Sequence, residues 1–445
     1  MLHIHYQSVP SLDIPKTKST MHKHDHMFDF RLLRRLDRAK LRIFSALSCL
    51  AFCFLVVFGD VYVDQVKLHG SKGSRKVLES VSMSDSFTMS VPKRVSPKED
   101  VDEGEKRSHD FISLVPPVNV SAEERIAWFK GKLPVFEIFQ SNAKSLRFEK
   151  RANEFFHGAN GHCGTRFFMT WISSARSFGE REVLAIEALF KSNPNGCLMI
   201  LSSTLDSVQG LRILRPILEH GFKVVAVTPN LPFLFKNTPA KTWFDKIKSG
   251  KKDPGEIPLA QNLSNLIRLA LVYKYGGVYL DTDFIVLKDF SGLRNSIGAQ
   301  SCNSYGKWTR LNNAVLVFDK KHPLVYKFIE EFALTFNGNI WGHNGPYLVS
   351  RVASRFATRK GYNFTVLPPM AFYPVYWSRI KGFFVKPHNR ARSKWVEAKL
   401  VQLKGETYGV HLWNRQSSGL RIEQGSIMER LISEHCILCQ HIYSS

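Results

Sequence analysis

The chain predicts an α/β fold, a mainly parallel sheet flanked by helices, and three observations predict it. Apolar runs at 166–172, 197–202 and 222–228 have the length of buried strands. Amphipathic stretches at 179–191, 206–220 and 259–275 separate and follow them. Strands that alternate with helices need crossover connections, and open sheets wound in this way bind ligands at the carboxyl ends of their strands.

The N-terminal third precedes that pattern. Residues 1–42 read as a cytosolic tail, with Met21 or Met27 as alternative starts that leave the topology unchanged. Residues 43–63 read as a single transmembrane signal anchor. The run from Ile43 to Phe58 is apolar or small throughout, against the roughly 20 residues that span a bilayer. Arg31, Arg34, Arg35, Arg38, Lys40 and Arg42 precede it, whereas Asp60 and Asp64 follow, and that asymmetry sends the remainder across the membrane.

Residues 64–121 are rich in Ser, Lys, Asp and Glu, a composition that buries too little apolar surface to fold, and read as a disordered stem. Residues 122–160 read as a partly helical docking segment, 161–435 as the main domain and 436–445 as a C-terminal tail.

The 445 residues carry a formal charge of +24, which invites a nucleic-acid partner. The placement argues against one: many basic residues lie in the N-terminal tail and in the loop at 246–252, and no nucleic-acid module is visible. Cys163, Cys197, Cys302, Cys436 and Cys439 would lie in an oxidising lumen; five is odd, so one stays free or pairs between chains. The Cys436-x-x-Cys439 pair, without a second ligand pair, reads as a local disulfide. Asn119, Asn262 and Asn363 begin glycosylation sequons, of which Asn262 falls on the amphipathic segment.

The chemistry concentrates in YGGVYLDTD, residues 275–283. Gly276 and Gly277 make a tight turn into a short apolar strand, and Asp281 and Asp283 stand one residue apart at its end. Two hard oxygen ligands aimed at one point suit Mg²⁺ or Mn²⁺ already holding a diphosphate. Such an ion neutralises charge on a departing nucleoside diphosphate.

With the stretches 263–290, 311–324 (LNNAVLVFDKKHPL), 341–352 (WGHNGPYLVSRV) and 411–414 (HLWN), the chain resembles the α-1,4-glycosyltransferase family over about residues 160–435. The resemblance implies a GT-A-type catalytic domain in the Golgi lumen, held by a type II anchor. It implies a retaining, Mn²⁺-dependent hexosyltransferase (Mg²⁺ being the other ion) that moves a sugar, most simply galactose from UDP-galactose, to a glycan or glycolipid acceptor in an α-1,4-type linkage.

Carried onto this chain, Asp283 ligates the metal, Asp281 faces the donor sugar or ribose, and Arg268 approaches the donor. Tyr279 and Asn265 join the donor-binding set. Relatives often have an acid where Asn265 stands; an amide bonds hydroxyls but brings no charge. Asn312 and Asn313 offer amides to sugar hydroxyls. Trp341, His343, Asn344 and Trp413 are candidates for acceptor contact or a lid, and His411 completes the metal or diphosphate site.

Two other readings stay open at this point. A silent sugar-binding relative is one. The other is a phosphatase of the haloacid dehalogenase type, which also uses paired Asp but wants Thr or Val where Ile285 stands.

Overall fold

A computed structural model describes residues 115–158, 163–440 and 442. The expected cytosolic tail, anchor and nearly all of the stem lie outside them. Among the described residues no helix is long and apolar enough to cross a membrane.

A seven-stranded sheet organises the fold in the order β3-β2-β1-β4-β7-β6-β8. Its first four members run parallel: β1 (Arg166–Thr170), β2 (Cys197–Leu201), β3 (Lys223–Val227) and β4 (Gly277–Leu280). The other half is mixed. β6 (Ser296–Cys302) and β7 (Trp308–Phe318) are antiparallel, β7 lies antiparallel to β4, and β8 (Thr365–Leu367) returns parallel to β6. A separate ribbon pairs β5 (Phe284–Val286) with β9 (Gly409–His411).

Helices cover both faces. In chain order they are α1 (Ala122–Lys132), α2 (Phe148–His157), α3 (Glu180–Ser192), α4 (Val208–Glu219) and α5 (Ala240–Lys248). They continue as α6 (Leu259–Tyr275), α7 (Pro323–Thr335), α8 (Pro346–Phe356), α9 (Arg390–Glu406) and α10 (Ile427–His435). The expected strands and helices of residues 166–275 thus form within one or two residues of their sequence bounds. The parallel run is interrupted at β7, which is antiparallel to both β4 and β6; β6 and β7 are joined by a short hairpin, and a hairpin can only make antiparallel neighbours.

The winding explains where a ligand goes. The chain moves outward from β1 to β2 and β3, then crosses back to lay β4 on the other side of β1. That reversal is a topological switch point, and the crevice outside the carboxyl ends of β1 and β4 is the expected binding place. The helix leading into β4 ends at Gly276, whose φ of 68° lies in the region glycine favours.

Each side of the sheet has a packed core. Phe168, Met199 and Leu201 meet Leu263, Leu266 and Ile267 of α6 on one side. Phe167, Ile200 and Val278 meet Phe190, Phe284 and Phe372 on the other. The segment before β1 joins the first core through Phe129, Phe136, Phe139 and Phe148, with Phe139 stacked on Phe244 at 5.4 Å. Full burial of such a ring contributes about 1.5–3 kcal/mol. An ion pair adds direction, since Arg125 reaches Asp253 at 2.6 Å and ties α1 to the loop before α6.

The far end of the chain is tied as well. One carboxylate oxygen of buried Glu187 accepts backbone N–H groups from Ile437, Leu438 and Cys439. Cys436 bonds Cys439, Cys163 bonds Cys197, and Cys302 has no disulfide partner among the described residues. Asn262 is buried inside α6, which closes that sequon to a glycan, whereas Asn119 and Asn363 are exposed.

Candidate active site

The switch-point crevice is a cleft of about 920 Å³. Its floor comes from three places far apart in sequence. The end of β1 gives Thr170 to Ser173, the segment after β4 gives Asp281 to Asp283, and α6 presents Gln261, Ser264, Asn265 and Arg268. Those α6 positions fall at i, i+3, i+4 and i+7, one helical face, while Leu263, Leu266, Ile267 and Ala270 take the opposite, buried face.

Asp281 is held rigidly. Arg268 places Nη2 at 2.9 Å from Oδ1 and Nη1 at 3.3 Å from Oδ2. The Tyr279 hydroxyl donates to Oδ1 at 3.0 Å. Arg268 is itself fixed by the Asn313 carbonyl at 2.9 Å and by the Ser264 hydroxyl at 3.2 Å. Burial pushes the Asp281 carboxyl up, but Arg268, then His411 and Tyr279, outweigh it and hold its pKa below the usual range.

Asp283 is freer. Its Oδ2 accepts the Asn414 backbone N–H at 2.8 Å, and its Oδ1 faces His411 Nε2 at 3.4 Å. His411 arrives through the ribbon, because β9 pairs Phe284 directly with His411. The same Nε2 lies 3.9 Å from Asp281 Oδ2. Burial lowers the imidazole pKa, yet the facing Asp283 and Asp281 raise it more, so it stands above its ordinary value.

Asp281, Asp283 and His411 offer donor atoms within 4.8 Å of one another. Two carboxylates and an imidazole are a donor set that suits Mn²⁺, whereas Mg²⁺ would draw mainly on the two carboxylates. Beside them Asn414 Oδ1 is buried with no partner among the described residues. An orphaned acceptor at this point fits a site completed by a ligand.

Around this centre the expected residues divide. Asn265, Asn312, Asn313, Trp341 and Trp413 line the cleft. Asn313 Nδ2 donates to Asn265 Oδ1 at 2.8 Å, so these amides hold each other. Gly345 packs against the pair: a Cβ there would lie 2.8 Å from Asn265 Oδ1. Asn312 bonds Gln300, which also faces the cleft. Trp413 adopts φ 56°, unusual for a bulky residue, while its indole donates to the Val375 carbonyl at 3.0 Å.

Three expectations need correction. Tyr279 does not line the cleft; it is buried, donates to Asp281 and also bonds Thr170 at 2.8 Å. His343 turns away from the cleft to the Thr335 carbonyl at 2.8 Å. Asn344 is buried and spends its amide on Asn262 and on the Asn337 carbonyl, at 2.9 and 2.7 Å. A loop that must hold Trp341 over a cleft needs its own backbone satisfied, and these two side chains meet that need.

Sequence reasoning missed Arg310, Tyr347, Tyr376, Trp377 and Arg415, all on the cleft wall. Arg415 stacks over Trp341 at 4.3 Å and Arg310 over Tyr347 at 4.5 Å. Exposed tryptophans beside glycines and prolines were the available signal, but no local period marks them.

A switch-point cleft ending in an Asp-x-Asp pair and a histidine fits a glycosyltransferase, and the family comparisons show that class. Residues 179–304 match the glycosyltransferase sugar-binding region containing the DXD motif, and 317–443 match the α-1,4-glycosyltransferase conserved region. The chain is 33% identical over 266 residues to lactosylceramide 4-alpha-galactosyltransferase of Mus musculus, covering 57% of this chain and 68% of that one. It is 32% identical to an uncharacterized protein of Arabidopsis thaliana, covering 67% of this chain and 45% of that one. With human alpha-1,4-N-acetylglucosaminyltransferase it shares 26% identity over 46% of this chain and 57% of that one. Among solved structures, PaToxG glycosyltransferase aligns at a TM-score of 0.34 and 15% identity, over 64% of this chain and 99% of that one. The chain belongs to the α-1,4-glycosyltransferase family.

Proposed function

We propose that this chain is a retaining hexosyltransferase of GT-A type that uses a UDP-sugar, and that it transfers to a glycan or glycolipid hydroxyl in an α-1,4-type linkage. The observation that carries the reading is the convergence of Asp281, Asp283 and His411 at the mouth of the cleft. Galactose is the first donor to test, since several relatives are named galactosyltransferases; N-acetylglucosamine is the next. An anchor at 43–63 would place the domain in the Golgi lumen.

Asp283 and His411, with Asp281 beside them, would hold Mn²⁺ or Mg²⁺. When bound, that ion supplies charge neutralisation to the nucleotide diphosphate. Arg268 keeps Asp281 ionised and still, so that its outer oxygen can accept from the donor sugar or ribose. The bond from the anomeric carbon to the phosphate oxygen breaks, and a bond to the acceptor oxygen forms on the same face. The acceptor proton passes to the leaving phosphate. A double displacement would need a further carboxylate under the anomeric carbon. The cleft wall offers amides instead, from Asn265, Gln300 and Asn312. That inventory supports same-face substitution.

The test is nucleotide release from a panel of UDP- and GDP-sugars, with Mn²⁺ or with a chelator. Metal-dependent release from one donor is expected and would name the sugar. An Asp283→Ala enzyme that still turned over would end the assignment.

A further inference from the structure

A second concavity of about 890 Å³ adjoins the cleft, and Tyr376 lines both. Its wall carries Arg379, Arg392 and Lys399 with Trp395, and no carboxylate. Arg392 is set in place: it donates to the Gly382 carbonyl at 3.0 Å and lies over the Trp395 ring at 3.8 Å. Lys399 is half-buried; it hydrogen-bonds Gln402 and the Met370 sulfur, and Glu406 is the acid that acts on its charge. The Arg379 side chain is exposed and has no ion pair among those residues. The surrounding stretch, 377–404, holds eight lysines and arginines against the single acid Glu397. Three of these cations, Arg379, Arg392 and Lys399, lie on the pocket wall beside the cleft.

We propose that this pocket is an exosite for the acceptor, and that the acceptor is an acidic glycan bearing carboxylate or sulfate groups. The inference rests on the transferase reading above and names its substrate class. An acceptor whose reacting hydroxyl lies near Asp281 extends along the cleft, passes Tyr376 and Trp377, and enters the pocket. The neighbouring Tyr376 and Trp377 rings, tilted to one another and 41–43% exposed, suit the apolar faces of sugars. Guanidinium groups suit carboxylate or sulfate through paired N–H donors, and Arg392 is pre-set by its stack on Trp395. The concave shape favours a chain that threads the pocket over a flat membrane surface, for which cations and tryptophans would otherwise also serve.

The test measures binding directly, apart from turnover. A fluorescent oligogalacturonide, a neutral oligogalactan of equal length and phosphatidylserine vesicles are titrated into the full chain. The acidic oligosaccharide should bind at least tenfold more tightly than the neutral one, and its affinity should fall as salt rises. Arg379→Gln combined with Lys399→Gln should weaken it by tenfold or more, and Arg379→Lys should keep most of it. Asp283→Asn should bind the acidic oligosaccharide as the unaltered chain does, which separates failure of the exosite from failure of the transferase assignment. Equal affinity for acidic and neutral chains, insensitivity to the double substitution, or binding to vesicles alone would overturn the proposal.

Discussion

Arg268 grips both carboxylate oxygens of Asp281, at 2.9 and 3.3 Å, from a helix thirteen residues upstream. The pair divides labour within the Asp-x-Asp motif. Asp281 is neutralised and immobile, whereas Asp283 keeps an oxygen turned toward His411. Replacing Arg268 by Met should leave the partly exposed Asp281 carboxylate without its partner, at a cost of about 2 kcal/mol in stability. Replacing it by Lys keeps the charge but loses the fork. The Lys variant should therefore fold, with a lower kcat and a slightly changed KM for the donor. Urea melts of both variants and steady-state kinetics of the Lys variant check this.

Asp283 should behave differently from Asp281. Its role in the proposal is to hold the cation, so Asp283→Asn should lower turnover by about a hundredfold or more while the fold persists. A chelator should silence the unaltered enzyme, and Mn²⁺ added back should restore it. Thermal melts with and without Mn²⁺ give a second readout: the ion should raise the Tm of the unaltered chain and leave that of Asp283→Asn nearly unmoved.

The fold up to β4 was legible because β1 and β2 are buried almost throughout and read as continuous apolar runs, whereas the helices bury one face, which writes a period into the sequence. The site was legible only where one motif holds it. Asp281 and Asp283 lie in one turn, and His411 was found through a family motif. Arg310, Tyr376 and Arg415 were not, because the cleft gathers segments more than a hundred residues apart and each contributes a single side chain. Tyr279, His343 and Asn344 were misread for a related reason. A polar residue within a functional motif can serve the motif's own backbone, or a neighbour, as well as a ligand, and only the packing tells which.

Acid should unfasten a specific joint. Asp206 takes two bonds from Arg151, at 2.6 and 3.0 Å, and two from Thr228, at 2.9 and 2.7 Å. Burial raises its pKa, but those donors outweigh burial and leave it below the ordinary carboxylate value. A depressed folded-state pKa stabilises above the unfolded value, near 3.9, and that contribution is lost as pH falls through the lower, folded pKa. The pair is partly solvated, so the effect is about 2 kcal/mol. Asp206→Asn should cost about that much at pH 7 and progressively less toward pH 3. Urea midpoints at both pH values measure it.

Gly276 gives the sharpest link between chain geometry and catalysis. It ends α6 at φ 68°, and a Cβ there would lie 2.6 Å from the Lys320 backbone nitrogen. Ala at this position meets two penalties: left-handed strain of about 1–2 kcal/mol and a clash with backbone that cannot swing aside. Gly221 separates them. Its φ is 82°, yet a Cβ there meets nothing within 4 Å, so Gly221→Ala carries the strain alone. Gly276→Ala should therefore lower Tm by several degrees more than Gly221→Ala. It should also lower kcat, since Gly276 leads directly into β4, whose end at Leu280 precedes Asp281, and any shift in its entry is passed along β4 to both carboxylates. Gly221→Ala, on the turn between α4 and β3, should leave kcat unchanged. Equal loss of activity in the two variants would mean that the glycine serves stability only, and that Arg268 alone fixes the position of Asp281.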